Sequence, residues 1–149
     1  MYAHILIAID GSELADRALD HGLKLAKALG SEVTVLTVSE PPAMIGGAYG
    51  AYGGVGFDPL PELIEAQKKL AEAILAKGVA AGAAHGVAVK TTVVENSFPA
   101  EGIIATADAT KAELIVMASH GRRGFGRLLL GSQTSNVLAQ SKIPVLVTR

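Results

Sequence analysis

Four glycines, Gly121, Gly124, Gly126 and Gly131, fall within eleven residues, and Ser132 follows the last of them. Glycine lets a backbone take positive φ and lets a ligand approach the amides closely. If a helix opens at Ser132, the amides of Ser132, Gln133 and Thr134 have no intrahelical acceptor. They then sit at the positive end of the helix dipole, an arrangement suited to phosphate. The Ser132 hydroxyl adds a donor or meets a metal. A long loop also needs glycine simply to turn, so spacing alone supports two readings, a phosphate cradle and a plain turn. The same segment carries Arg122 and Arg123, which fit a phosphate clamp, and His120, which fits a donor to one of the oxygens. A solvated basic loop is the other reading of these three. Contact with RNA or an acidic partner is disfavoured, because only Phe125 interleaves the arginines and the net charge is −1. A second polar cluster, Asp10-Gly11-Ser12, ends an aliphatic run. Asp10 is there either to meet a ligand or to cap the amides of the helix that follows.

Several chemistries fall away. Gly121 and Gly126 have the spacing of a Walker A loop, but Arg127-Leu128 stands where Lys-Ser/Thr is required. No GxGxxG follows the first aliphatic run, which excludes a dinucleotide fingerprint there. No GxSxG elbow surrounds a serine, and no HExxH or similar cluster suggests a metal hydrolase. His4, His21 and His85 lack ligand spacing and read as structural or surface groups. With no cysteine, a thiolate metal site, a disulfide framework and a cysteine nucleophile are all excluded.

The elements that must position these groups follow from periodicity. His4–Ile9, Glu32–Val38, Ala88–Val94, Glu113–Ala118 and Pro144–Thr148 are aliphatic or β-branched runs. They are continuous enough to be strands covered on both faces. Between them, Ser12 caps a helix that presents Ala15, Ala18, Leu19, Leu23 and Ala26 on one face and stops at Gly30. Leu60–Ala84, Pro99–Thr110 and Ser132–Gln140 supply three more helices. This alternation predicts an α/β fold, an open five-stranded parallel sheet with helices on both faces, Rossmann-like, in strand order 3-2-1-4-5. Ligands in such sheets bind beyond the strand carboxyl ends where the order reverses, which brings Asp10 and the residues after Ala118 to one crevice.

The 149 residues fit a single domain spanning 1–149, and the 4% aromatic content leaves the core to Ala, Val, Leu and Ile. The longest charge-free run, Pro41–Phe57, holds six glycines, and no run of about 18 apolar residues exists to cross a bilayer. The first residues lack the basic region of a signal peptide, so a cytoplasmic location is expected. Within that run Met44–Phe57 reads as a lid, a partner-recognition loop or a loose insertion.

The run into Asp10-Gly11-Ser12, the Met117-Ala118-Ser119-His120-Gly121 turn, Gly131-Ser132 and the closing Ile143-Pro144-Val145-Leu146-Val147 carry a resemblance. Over essentially its whole length the chain resembles the universal stress proteins of the nucleotide-binding type. That family's ATP motif, G-2x-G-9x-G-[S/T], fits Gly121, the nine residues 122–130, Gly131 and Ser132. Its first glycine falls on Ala118, a departure that matters if the position needs positive φ or direct ligand contact. The resemblance implies ATP with Mg²⁺ held mainly by the phosphates. Asp10 would lie by adenine and ribose, Ala8 and Ile9 beneath the base, and Val38 against it. Ala118 and Gly121 would approach ribose and phosphates, with Met117 beside them in the same turn; His120, Arg122 and Arg123 keep the two readings given above. Gly131, Ser132, Gln133 and Thr134 would cradle the phosphates. It further implies a homodimer paired through the edge strand at Val145–Thr148. The role would be regulatory, with slow ATP hydrolysis at most. A nucleotide-free interaction module of the same fold is the alternative.

Overall fold

The structure, a computed structural model, describes residues 1–42, 60–121 and 129–149. The Met44–Phe57 loop and the pair Arg122 and Arg123 therefore lie outside the described residues. Among the described residues nine elements alternate between strand and helix: β1 (His4–Ala8), α1 (Glu13–Leu29), β2 (Glu32–Val38), α2 (Leu60–His85), β3 (Val89–Val94), α3 (Pro99–Thr110), β4 (Leu114–Ala118), α4 (Ser132–Gln140) and β5 (Val145–Thr148). The five strands form one parallel sheet in the order β3-β2-β1-β4-β5, the order expected from the sequence.

Both sheet faces are buried, and the strands divide their side chains between them with a period of two. Ile5, Ile7, Val33, Val35 and Val116 face α1 and α2, where Ala18, Leu19, Leu23 and Ile74 meet them. Leu6, Ala8, Leu36, Ile115 and Met117 face α3 and α4, meeting Ala100, Ile103, Ala107 and Val137. The predicted face of α1 is the buried one: Ala15, Ala18, Leu19, Leu23 and Ala26, joined by Gly22. Ser12 caps this helix by accepting from the Ala15 amide, and Gly30 ends it at φ 69°.

Strand limits differ from expectation by single residues. β1 ends at Ala8, although the Ile9 amide still donates to the Leu36 carbonyl at 2.9 Å. β5 begins at Val145, since Pro144 has no amide to donate. Along α2, Ala71 and Ile74 are buried, whereas Leu70, one of its apolar positions, is 46% exposed. Among the described residues no helix is long and apolar enough to cross a membrane.

Candidate functional site

β1 and β4 are neighbours at the centre of the sheet, and their following helices cover opposite faces. The chain therefore diverges beyond their carboxyl ends and leaves a cleft, as this topology requires. The cleft encloses about 570 Å³. Ala8, Ile9 and Asp10 enter it from β1, and Val38 from the end of β2. Met117, Ala118, His120 and Gly121 come from β4, and Gly131, Ser132, Gln133 and Thr134 from the start of α4. Every sequence candidate within the described residues thus lines one cavity.

Asp10 is held by the turn that follows it. Gly11 takes φ 82°, a left-handed value, and this brings the Ser12 amide to Asp10 Oδ1 at 3.0 Å. The other carboxylate oxygen lies against Gly121, where a Cβ would come within 2.6 Å of Oδ2. A side chain at Gly121 would force the Asp10 carboxylate to move from this position. Capping and ligand contact were alternatives for this aspartate. Its carboxylate does accept the Ser12 amide, while the cap of α1 proper comes from the Ser12 hydroxyl.

Gly131 is the N-cap of α4, with φ −60° and ψ 152°. Its conformation is open to any residue, so the demand for glycine is spatial. A Cβ here would lie 3.2 Å from the Ser119 carbonyl oxygen and 3.4 Å from His120 Cα. The close approach is fixed by two interactions. The Gly131 amide donates to the Ser119 carbonyl at 2.8 Å, and the Thr134 hydroxyl donates to the Ala118 and Ser119 carbonyls at 3.0 and 3.1 Å. The first amides of α4 consequently open onto the cleft beside the end of β4.

Three side chains have duties that the sequence did not reveal. Thr134, 2% exposed, is committed to docking α4 on β4, so only its amide remains for a ligand. Gln133 Oε1 accepts the Ala100 amide at 3.1 Å. It thereby caps α3, whose own N-cap residue Phe98 makes no side-chain cap bond. His120 Nδ1 is hydrogen-bonded to Ser119 Oγ at 3.1 Å, which fixes the ring beside Gly131.

Ala118 closes β4, pairs with Thr148 in register and is 8% exposed. Among the described residues, positive φ outside glycine occurs only at Tyr2, Asn96 and Lys111. The motif departure at Ala118 thus carries no backbone strain, and it adds one methyl to the cleft wall.

The wall formed by α2 was not foreseen. Leu63, Ala66, Gln67, Leu70, Ala71 and Ile74 all line the cleft, together with Thr37, Ser39, Glu40, Pro99 and Ile103. The signal was present in the 3–4 spacing of those α2 positions, which continues the sheet-packing face past the sheet's end. The three remaining histidines hold structural contacts. His4 Nδ1 donates to the Thr110 carbonyl and Nε2 is hydrogen-bonded to the Thr34 hydroxyl, His21 bonds the Arg17 carbonyl, and His85 bonds Asp20. Among the described residues no group of three His, Asp or Glu side chains is placed to hold a metal ion.

The sequence profile of the universal stress protein family matches residues 1–149. The chain belongs to that family. A universal stress protein of Thermus aquaticus is 33% identical over 150 residues, which span 100% of both proteins. A solved universal stress protein of Methanocaldococcus jannaschii superposes with a TM-score of 0.78 at 30% identity, over 99% of this chain and 96% of its own. Two more distant structures share the fold. One is a universal stress protein in complex with cAMP (TM-score 0.70, 23% identity, 99% of this chain and 97% of its own). The other, from Archaeoglobus fulgidus, is in complex with dAMP (TM-score 0.71, 21% identity, 99% and 98%). In this universal stress protein the motif residues Ala118, Gly121, Gly131 and Ser132 all line the cleft between β1 and β4.

Proposed function

We propose that this universal stress protein binds an adenine nucleotide, ATP with Mg²⁺, in the β1–β4 cleft and acts as a regulatory homodimer. The observation that carries the reading is the junction of α4 with β4. A helix N-terminus opens onto a cavity of about 570 Å³, and a Cβ on its N-cap, Gly131, would crowd the Ser119 carbonyl oxygen at 3.2 Å. Open amides at the positive end of a helix favour an anion, so the phosphates belong at Gly131–Thr134. The base then belongs at the opposite end, between Ile9 and Val38, with the ribose beside Asp10. Relatives of the same fold complexed with cAMP and dAMP support an adenine ligand. On this reading Mg²⁺ would be held mainly by the phosphate oxygens. In the bound state the ion would offset phosphate charge. The chain's own part is to bind and orient the nucleotide.

Isothermal titration of the purified protein with ATP, ADP and cAMP tests this reading. The absence of tryptophan helps, because three tyrosines absorb weakly at 280 nm and carried-over nucleotide dominates the spectrum. The parent gives saturable heat with at least one of the three ligands. Gly131→Val, which forces a side chain against the Ser119 carbonyl and His120, gives none while keeping its circular dichroism. Absence of heat from the parent with all three ligands favours the interaction-module reading instead. Steady phosphate release from ATP, lost in Gly131→Val, would add slow hydrolysis to the role.

A further inference from the structure

We propose that Gln67 reads the base edge and makes this cleft selective for 6-amino purines over 6-oxo purines. The inference rests on the nucleotide reading above and adds to it the group that discriminates among nucleotides. Gln67 lies on α2, outside every motif segment of the sequence, yet it lines the cleft at the end where Val38, Ser39 and Glu40 leave β2. Its Nε2 donates to the Glu40 backbone carbonyl at 3.1 Å.

That bond orients the amide. A carbonyl oxygen only accepts, so the nitrogen must face Glu40, and Oε1 is left as an acceptor. Among the described residues Oε1 has no hydrogen-bond partner. A 6-amino purine placed against Val38 presents an N–H donor on its exocyclic edge and satisfies this oxygen. A 6-oxo purine presents an acceptor there and sets two oxygens against each other. Rotating the amide to serve the 6-oxo group would give up the Glu40 bond and face Oε1 with the Glu40 carbonyl. The side chain is thus locked by one hydrogen bond into the orientation that accepts one class of base and repels the other, which is how a single polar group yields selectivity. Its neighbours on α2 along the cleft, Leu63, Ala66 and Leu70, are apolar, so on that helix Gln67 alone offers a polar group to the base.

Competition titrations with ATP and inosine triphosphate test this, because the two ligands share ribose and phosphates and differ at the 6-position. The parent protein prefers ATP by roughly tenfold, the scale of one hydrogen bond gained against one repulsion. Gln67→Leu collapses the ratio toward unity, chiefly by weakening ATP while inosine triphosphate binding holds or improves. Gln67→Asn retains the amide but withdraws it by one methylene, and it loses the preference as well. Should Gln67→Leu fail to fold, the asparagine variant carries the test. Equal affinity of the parent for both ligands overturns the assignment of Gln67 and leaves nucleotide binding standing. So does a fall in both affinities that preserves the ratio, since Gln67 would then only brace α2. Binding of neither ligand by the parent overturns the nucleotide reading and this selectivity with it.

Discussion

Gly121 and Ala118 are three residues apart and ask opposite questions of the cleft. At Gly121 a methyl would meet Asp10 Oδ2 at 2.6 Å. Gly121→Ala therefore displaces the carboxylate from its place beside the proposed ribose without touching the core. The expected outcome is a loss of nucleotide affinity of roughly tenfold or more, as for a hydrogen bond to a charged group, with a melting temperature close to the parent's. Titration calorimetry and thermal unfolding of the same preparation check both halves. At Ala118 the backbone is an unstrained strand end, so Ala118→Gly changes only the wall. It is expected to alter affinity by less than about tenfold, the effect of one methyl in an apolar contact. A larger gain would show that the methyl obstructs the ligand. The residue scale is also where the sequence was least informative. Asp10, Gly121 and Gly131 could be picked out by motif, but the reason each is needed is a contact between segments more than a hundred residues or a whole turn apart. The contribution of Gln67 was invisible because no local pattern marks a side chain that bonds a backbone carbonyl across the cleft.

Two helices share the work of shaping the proposed phosphate end, and neither could be docked from sequence. The Thr134 hydroxyl ties α4 to β4, and the Gln133 side chain caps α3 at Ala100. Thr134→Val keeps the shape and removes the donor, and it should cost about 1–2 kcal/mol, seen as a melting temperature lower by a few degrees. Gln133→Leu uncaps α3 and should cost about 1 kcal/mol, and unchanged melting in both variants would contradict these two ties. A different tie joins α1 to α2. Asp20 Oδ2 accepts from Lys24 at 2.6 Å and Oδ1 bonds His85 at 3.0 Å. The Lys24 hydrogen bond, before any other cause, holds the Asp20 carboxyl below its ordinary value of 3.8. A carboxyl lowered on folding stabilises the fold above its unfolded value, and this contribution is lost as pH falls through the folded one. The melting difference between parent and Asp20→Asn should thus be present above 3.8 and close as pH falls below it. A gap that persists in acid would contradict it. The elements themselves were legible: alternating aliphatic runs, Ser12 at one helix start and Gly30 at its end are local signals. The spacing along α2 marks its apolar face, but the continuation of that face past the sheet's end is a fact of tertiary placement.

At the scale of the molecule the open question is which sheet edge pairs. β3 and β5 are the two edges. β3 carries Lys90, paired with Glu32 of β2 and solvent-exposed, a charge of the kind that discourages edge pairing. β5, Val145–Thr148, carries no charge, and Leu146 is 38% exposed. The carbonyls of Pro144 and Thr148 accept from β4, so Val145 and Val147 turn their amides and carbonyls to the open side. The proposed homodimer should use those groups. Val147→Pro removes an outward donor while sparing the bonds to β4, and prolines are tolerated on edge strands. Sedimentation at micromolar concentration should give twice the chain mass for the parent and the single mass for Val147→Pro, with both folded by circular dichroism. A monomeric parent, or a dimeric variant, removes the β5 interface. This edge lies one strand from the cleft proposed to bind nucleotide, and the connection is direct. The Ser119 amide, next to Ala118 and beneath Gly131, donates to the Thr148 carbonyl at 2.8 Å. If the cleft and the edge form one device, ATP changes the dimer dissociation constant, and dimerisation changes ATP affinity by the same factor, as linkage requires. Dimer dissociation measured with and without saturating ATP decides it, and equal constants would show that the edge is indifferent to the cleft.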